Sequence, residues 1–370
     1  MPSSGCWGWP RASPARSPRS GGNGPGGVTA PLWQAGATRL AALPARQRRW
    51  ALLALLVMLL LAAIAAPRDD AAGEPLYAAL LSGMRYGSGF YDGLSDLLRA
   101  DPAARPMGLF PPALAVVDST LPGWTTMLLL AATLTGWLWI GMLRLVPLFA
   151  RGGAQALAIA LLALGAIAGA LLWADSPHAG WAALLVALAV LVRRNDRWVG
   201  AAALGALAAI VDPAAILASG ILAFIALFDG SRREAAGWAA AGVLALAVLG
   251  AHLFALVRLG LPLSEEWASL HIGGAARLIA AALPGVPAAL AAPLLLLAAL
   301  GWGALSRPLG LRVLAILAAG VACDGVFGAG TATLATLLVA PGLALAPDAV
   351  ADLYRGALDR RRFTVTRFPR

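Results

Sequence analysis

The stretch that decides the fold is residues 50–74, WALLALLVMLLLAAIAAPRDDAAGE. Nothing between Trp50 and Ala66 is charged, and Pro67, Arg68, Asp69, Asp70 and Glu74 follow at once. As a helix the apolar run reaches about 26 Å, close to the hydrocarbon thickness of a bilayer at about 30 Å. No A-x-A cleavage site leads into a soluble domain, so the run reads as a membrane anchor rather than a signal peptide.

The rest of the chain repeats that pattern. Further apolar segments fall at 124–143, 155–173, 179–192, 198–211, 213–228, 236–257, 285–304, 309–324 and 331–347. Hydrophobic residues make up 60% of the 370 residues and charged residues only 12%, with a mean hydropathy of +0.78. A soluble domain carries about 25% charged residues. Half that charge does not keep a soluble surface hydrated, which excludes a soluble enzyme, a disordered chain and a DNA-binding module. The expected fold is all-α: a polytopic transmembrane helical bundle of about ten membrane helices. The short pair 198–211 and 213–228 also fits a re-entrant hairpin, which leaves the downstream topology unchanged.

A net charge of +10 suggests nucleic acid only superficially. There is no lysine, so every basic residue is arginine, as a GC-rich coding bias with abundant Ala, Gly and Pro would produce. No nucleic-acid partner is expected. Residues 1–49 are rich in Pro, Gly, Ser and Arg, lack acids, and read as a disordered cytoplasmic tail, although an organellar presequence shares that composition. Residues 50–349 form the transmembrane domain and 350–370 a basic cytoplasmic tail. With the N-terminus inside, all arginines except Arg68, Arg85, Arg99, Arg105, Arg258 and Arg277 fall on the cytoplasmic side, and the acids show the opposite bias. This positive-inside asymmetry places both termini in the cytoplasm of a plasma-membrane protein, the bacterial inner membrane being the natural setting. Trp50, Trp124, Trp173, Trp181, Trp198 and Trp302 sit near proposed helix ends, where indole favours the interface.

Two outside loops then have length and chemistry: 67–123 and 258–284. In the first, Leu76, Leu80, Leu81 and Met84 share a helical face, and Gly87-Ser88-Gly89 breaks the chain. Phe90, Leu94, Leu97 and Leu98 form a second face, opposite Asp92, Ser95, Asp96 and Arg99. Two short interfacial helices are expected, near 76–85 and 90–99. Asp92 and Asp96 read as a solvated face. Ser231-Arg232-Arg233-Glu234 has capping-box spacing, and Asp212-Pro213 and Ser176-Pro177 read as an N-cap followed by proline. His252 is ionisable within a membrane segment, which makes it a functional candidate, with a neutral, hydrogen-bonded histidine equally in keeping. His178, His252 and His271 are too scattered to suggest a metal site.

The order of these features resembles the polytopic bacterial glycosyltransferases of the GT-C superfamily, which use polyprenyl-phosphate sugars. The resemblance rests on Glu74-Pro75-Leu76-Tyr77 with Gly83, Gly87 and Tyr91, on Arg232-Arg233-Glu234-Ala235-Ala236-Gly237-Trp238, on His252 and Trp267, and on Ala340-Pro341-Gly342 and Ala346-Pro347. It implies transfer of a sugar from a lipid-linked donor to an acceptor on the outer face. Phosphate is a good leaving group, so the acceptor hydroxyl needs a base but the donor needs no acid. Asp70 and Glu74, with Asp69 as the near alternative, are the candidate bases, because a membrane helix fixes their depth. The resemblance further implies substrate contacts from Tyr77 and Tyr91, phosphate contacts from Arg68, Arg85, Arg105 and Arg258, and an opposite wall from His252, Arg258, Glu265 and Trp267. A divalent cation is compatible with the three acids but is not required. The implied partners are membrane lipid and the lipid-linked donor. Two other classes share the pattern less closely: a non-catalytic membrane scaffold or inactive relative, and a transporter of lipid-linked substrate.

Overall fold

The computed structural model describes residues 31–64, 75–100, 110–194, 196–260, 283, 286–305, 308–327 and 334–358. Arg68, Asp69, Asp70, Glu74, Arg105, Glu265, Trp267 and His271 lie outside the described residues. Within them the chain is all-α, with thirteen α-helices. Four helices are long and apolar enough to cross a membrane: Gly123–Leu148 (continued by a 3-10 turn), Gly152–Asp175, Arg232–Arg258 and Thr336–Leu358. Several shorter apolar helices accompany them.

In chain order the helices are α1 (Ala45–Ile64), α2 (Pro75–Arg85), α3 (Phe90–Ala100), α4 (Ala113–Thr120), α5 (Gly123–Leu145), α6 (Gly152–Asp175) and α7 (Pro177–Val192). Then follow α8 (Val199–Val211), α9 (Ala215–Phe228), α10 (Arg232–Arg258), α11 (Ala288–Ala304), α12 (Pro308–Phe327) and α13 (Thr336–Leu358). Each apolar segment expected from sequence overlaps a helix among the described residues. The two short helices of the first loop are also present, as α2 and α3.

The helix α13 is the axis of the bundle, packed between α1, α6 and α11. Its apolar window is 78% buried, against 28% or less in the other three long helices. Small residues permit this. A Cβ on Gly301 would run into the carbonyl of Gly342, so α11 and α13 meet backbone to backbone. Trp302 lies beside this crossing, fully buried, and its indole N–H donates to the Leu338 carbonyl at 2.6 Å. Trp302 is therefore a packing residue and not the interface anchor expected from its place near a helix end. Trp50 and Trp124, 63% and 65% exposed, do have the exposure that expectation requires.

Two sequence boundaries shift. The C-terminal helix continues past 347 to Leu358, so 350–358 is helix rather than tail. Residues 31–49 are folded rather than disordered. The Asp348 carboxylate accepts the backbone N–H groups of Leu32, Trp33 and Gln34, and Asp352 accepts from the Thr38 hydroxyl at 2.6 Å. Those acids sit one helical turn apart on α13, so they grip successive parts of the N-terminal strap. Composition suggested disorder because the strap has no periodicity of its own; a partner more than three hundred residues away satisfies its backbone.

Candidate functional site

Three helices define the two ends of the bundle. The helix α10 carries Glu234 in its first turn and His252 near its end, about 27 Å apart at 1.5 Å per residue. The antiparallel α7 carries His178 in its first turn and leads into Arg193. The helix α5 runs with α7, from Thr126 to Arg144. His178, His252 and Thr126 thus share one end, and Arg193, Glu234 and Arg144 share the other.

The histidine end is roofed by the first loop. Between α2 and α3, Gly87 adopts φ of 97°. The Ser88 N–H reaches the Gly83 carbonyl at 3.1 Å and the Gly87 N–H reaches Met84 at 3.0 Å. This is a glycine-terminated helix end, and it turns α3 back onto α2. Tyr77 and Leu80 of α2 and Phe90 and Leu94 of α3 then bury together with Ala115 of α4 and Leu256 of α10, a small core separate from that of the bundle. Asp92, Asp96 and Arg99 stay exposed, with Arg99 beside Asp96 at 3.3 Å, as a solvated face should. Ser95, expected on that polar face, is buried instead.

Polar groups converge inside this roof. The Tyr77 hydroxyl donates to Asp118 Oδ2 at 2.9 Å, and the Thr126 hydroxyl lies 3.3 Å from Oδ1. Arg85 Nη2 donates to the Asp118 backbone carbonyl at 3.2 Å. The Tyr77 ring meets His178 edge-on at 4.8 Å, and Phe110 stacks on the same imidazole at 4.4 Å. Beside this group the Tyr91 hydroxyl and His252 Nδ1 are 3.1 Å apart, with Phe90 edge-on to the same imidazole. His178 Nδ1 and His252 Nε2 are both buried, with no hydrogen-bond partner among the described residues.

Burial pushes the Asp118 carboxyl above the usual carboxylate range, although the Tyr77 and Thr126 hydroxyls and the Arg85 charge pull the other way. Burial likewise raises the Tyr91 phenol. Asp118 is thus a carboxyl that holds its proton more readily than usual and has two hydroxyls directed at it. A carboxyl shifted upward in this way is a better proton acceptor than an exposed carboxylate. Among the described residues no cluster of three or more His, Cys, Asp or Glu is able to hold a metal.

The sequence-expected residues divide accordingly. Tyr77, Tyr91, Arg85 and His252 meet in the roofed end. Tyr77 and Tyr91 do so through hydroxyls already engaged with protein groups. Arg258 does not join them: it lies over the exposed Phe254 ring at 5.4 Å, about a third of a turn round α10 from His252. The remaining candidates, Arg68, Asp69, Asp70, Glu74, Arg105, Glu265 and Trp267, fall outside the described residues.

Sequence reasoning passed over Asp118, Thr126 and Phe110, and weighed His178 only as a metal ligand. One signal was present: Asp118 is an acid directly after the apolar run Ala113 to Val117, a run that proves to be the extra helix α4. An acid closing an apolar turn is a candidate for burial with a partner.

At the opposite end the capping-box reading of Ser231 and Glu234 fails. Ser231 is the N-cap residue of α10 but makes no side-chain cap bond. Glu234 instead forms a two-pronged bond with Arg193, Nε to Oε1 at 2.7 Å and Nη2 to Oε2 at 2.6 Å. A buried guanidinium outcompetes the weaker cap. Asp212 is not the expected N-cap either: it closes α8 as its C-cap, Ala214 is the N-cap residue of α9, and the Asp212 Oδ1 accepts the Ala214 N–H at 2.9 Å within the turn between the two helices.

Comparison with protein-family models, with curated protein sequences and with solved structures finds no match for this chain.

Proposed function

We propose that this chain is a membrane-embedded glycosyltransferase of the GT-C type. In this reading the histidine end faces outward, the arginine end faces the cytoplasm, and α1 together with α5–α13 provides about ten membrane helices. A polyprenyl-phosphate sugar enters from the bilayer, with its head group under the α2–α3 roof. The acceptor hydroxyl comes from the outer aqueous side. Asp70 or Glu74 takes the acceptor proton, the sugar carbon exchanges its bond to phosphate oxygen for one to the acceptor oxygen, and the phosphate departs with the lipid.

The observation that carries the reading is the roof itself. Helices α2 and α3 are each about 16 Å long, too short to span a bilayer. They cover the end of a long apolar helix and enclose a carboxyl, two imidazoles and two tyrosines. A lipid-linked head group needs polar groups gathered beside an apolar wall, and this roof supplies them. Glu74 stands three residues before Tyr77, whose hydroxyl is anchored on Asp118. Asp118 and Arg85 act here as positioning residues for the segment that carries the base.

The test is conversion of lipid-linked sugar by membranes containing wild-type protein or the Asp69/Asp70/Glu74 triple variant. Loss of the base should lower transfer by at least about 100-fold while expression and insertion remain normal. Full activity in the triple variant would end the catalytic reading and leave the scaffold reading ahead. Reporter fusions after residue 100 and at the C-terminus test the orientation. Outside-only reporter activity at the C-terminus would overturn it.

A further inference from the structure

A cavity of about 330 Å³ opens at the arginine end, between the ends of α5 and α7 and the start of α12. Four of its lining residues are arginines: Arg144, Arg193, Arg194 and Arg312. The remainder of the wall is largely apolar, including Leu148 and Leu309, with Asp196 as its acidic residue.

Three of the four guanidinium groups are held before any ligand arrives. The Arg193 side chain, 9% exposed, is fixed by Glu234. Arg144 donates from Nε to the Leu191 carbonyl at 3.0 Å and from Nη2 to that of Arg193, at the C-terminal end of α7. Arg312, only 1% exposed, reaches Asp229 at 2.5 Å and the Pro308 carbonyl at 3.3 Å, and its Nε has no partner among the described residues. Arg194 is exposed at the mouth. Asp196, the wall's own acid, is exposed and lies 3.7 Å from Arg197 outside it. Glu234 and Asp229 offset Arg193 and Arg312, so the wall remains basic on balance.

A bare structural role for these arginines, capping α7 and bracing α10 and α12, explains their bonds. It does not explain a cavity of head-group size left open among them. Rigid guanidinium forks suit tetrahedral phosphate oxygens, and basic pockets between membrane helices hold anionic head groups.

We propose that this cavity binds a phosphate group, with the apolar wall seating what is attached to it. A membrane phospholipid and a free phosphate ester share that chemistry. The site is independent of sugar transfer at the other end, and its test does not read that activity.

The full chain is to be purified and placed in nanodiscs of phosphatidylcholine with or without phosphatidylglycerol, and retained lipid measured by native mass spectrometry. Glycerol 3-phosphate serves as the soluble competitor. Arg194→Glu changes an exposed residue and leaves the bracing bonds intact; Arg312→Lys keeps the charge but loses the fork. We expect phosphatidylglycerol to be retained over phosphatidylcholine, and retention to fall by about tenfold in the double variant. Displacement by glycerol 3-phosphate would assign the site to a soluble phosphate ester, and resistance to it would assign it to lipid. Equal retention of both lipids with no glycerol 3-phosphate binding, or retention of phosphate ligands unchanged in the double variant, would overturn the proposal.

Discussion

The two ends of the helical bundle bury polar groups in opposite ways. At the arginine end each buried ion has an ionic partner or a carbonyl: Arg193 with Glu234, Arg312 with Asp229, Arg144 with two carbonyls. Trp238 Nε1 adds a longer contact of 3.4 Å to Glu234. At the histidine end, burial leaves groups underused, with a ring nitrogen of His178 and another of His252 unpartnered among the described residues. Closed ion pairs fix helices against one another. Unspent donors and acceptors beside aromatic rings are what a ligand requires, because binding then replaces no internal bond. The contrast gives one end ion pairs that brace its helices and the other buried ring nitrogens with no such partner among the described residues.

Arg193→Ala should have the largest effect. It leaves Glu234, whose side chain is 1% exposed, as a buried carboxylate without its partner. Breaking such a pair from one side costs about 3–5 kcal/mol. Thermal unfolding in detergent should show a large drop, and a shift no greater than that of an exposed control such as Arg99→Ala would refute the bracing role.

Tyr77→Phe should cost less, about 1–3 kcal/mol, by taking one donor from the buried Asp118 carboxyl. If the histidine end is a binding site, the same substitution should also lower transfer by loosening the segment that carries Glu74. A stability loss with transfer unchanged per folded molecule would separate the roof from the chemistry.

The pH response of Asp118 sharpens the comparison further. Its folded carboxyl is raised above the ordinary value, so the folded state holds the proton more tightly than the unfolded chain. The contribution of protonation to stability is therefore complete below the ordinary carboxylate range and is lost as pH rises through the raised value. Melting of wild type and Asp118→Asn across the acid range should diverge, with wild type gaining relative to the variant as pH falls. Parallel curves would argue against a buried, raised carboxyl.

Arg99→Ala should do least. Its ion pair with Asp96 is exposed on both sides, with side chains 77% and 75% accessible. Exposed pairs contribute about 0–1 kcal/mol and are screened by salt. A measurable loss of either folding or transfer would mean that the polar face of α3 is covered by something.

Sequence alone determined the all-α class, the approximate place of the apolar helices apart from α4, and the two short helices α2 and α3. These are local properties: hydropathy over a window, a 3.6-residue period and a glycine break act within one element. It also marked Tyr77, Tyr91, Arg85 and His252, which meet at one end of the bundle. Only tertiary structure decided what those residues touch. Tyr91 finds His252 from 161 residues away, and Leu32 finds Asp348 from 316. The same holds for Glu234, whose spacing from Ser231 specified a cap until Arg193 arrived on another helix. A lone buried acid or imidazole has no local signature of its partner. Burial raises the cost of leaving it unpaired, but which helix supplies the partner is set by how all the helices pack together.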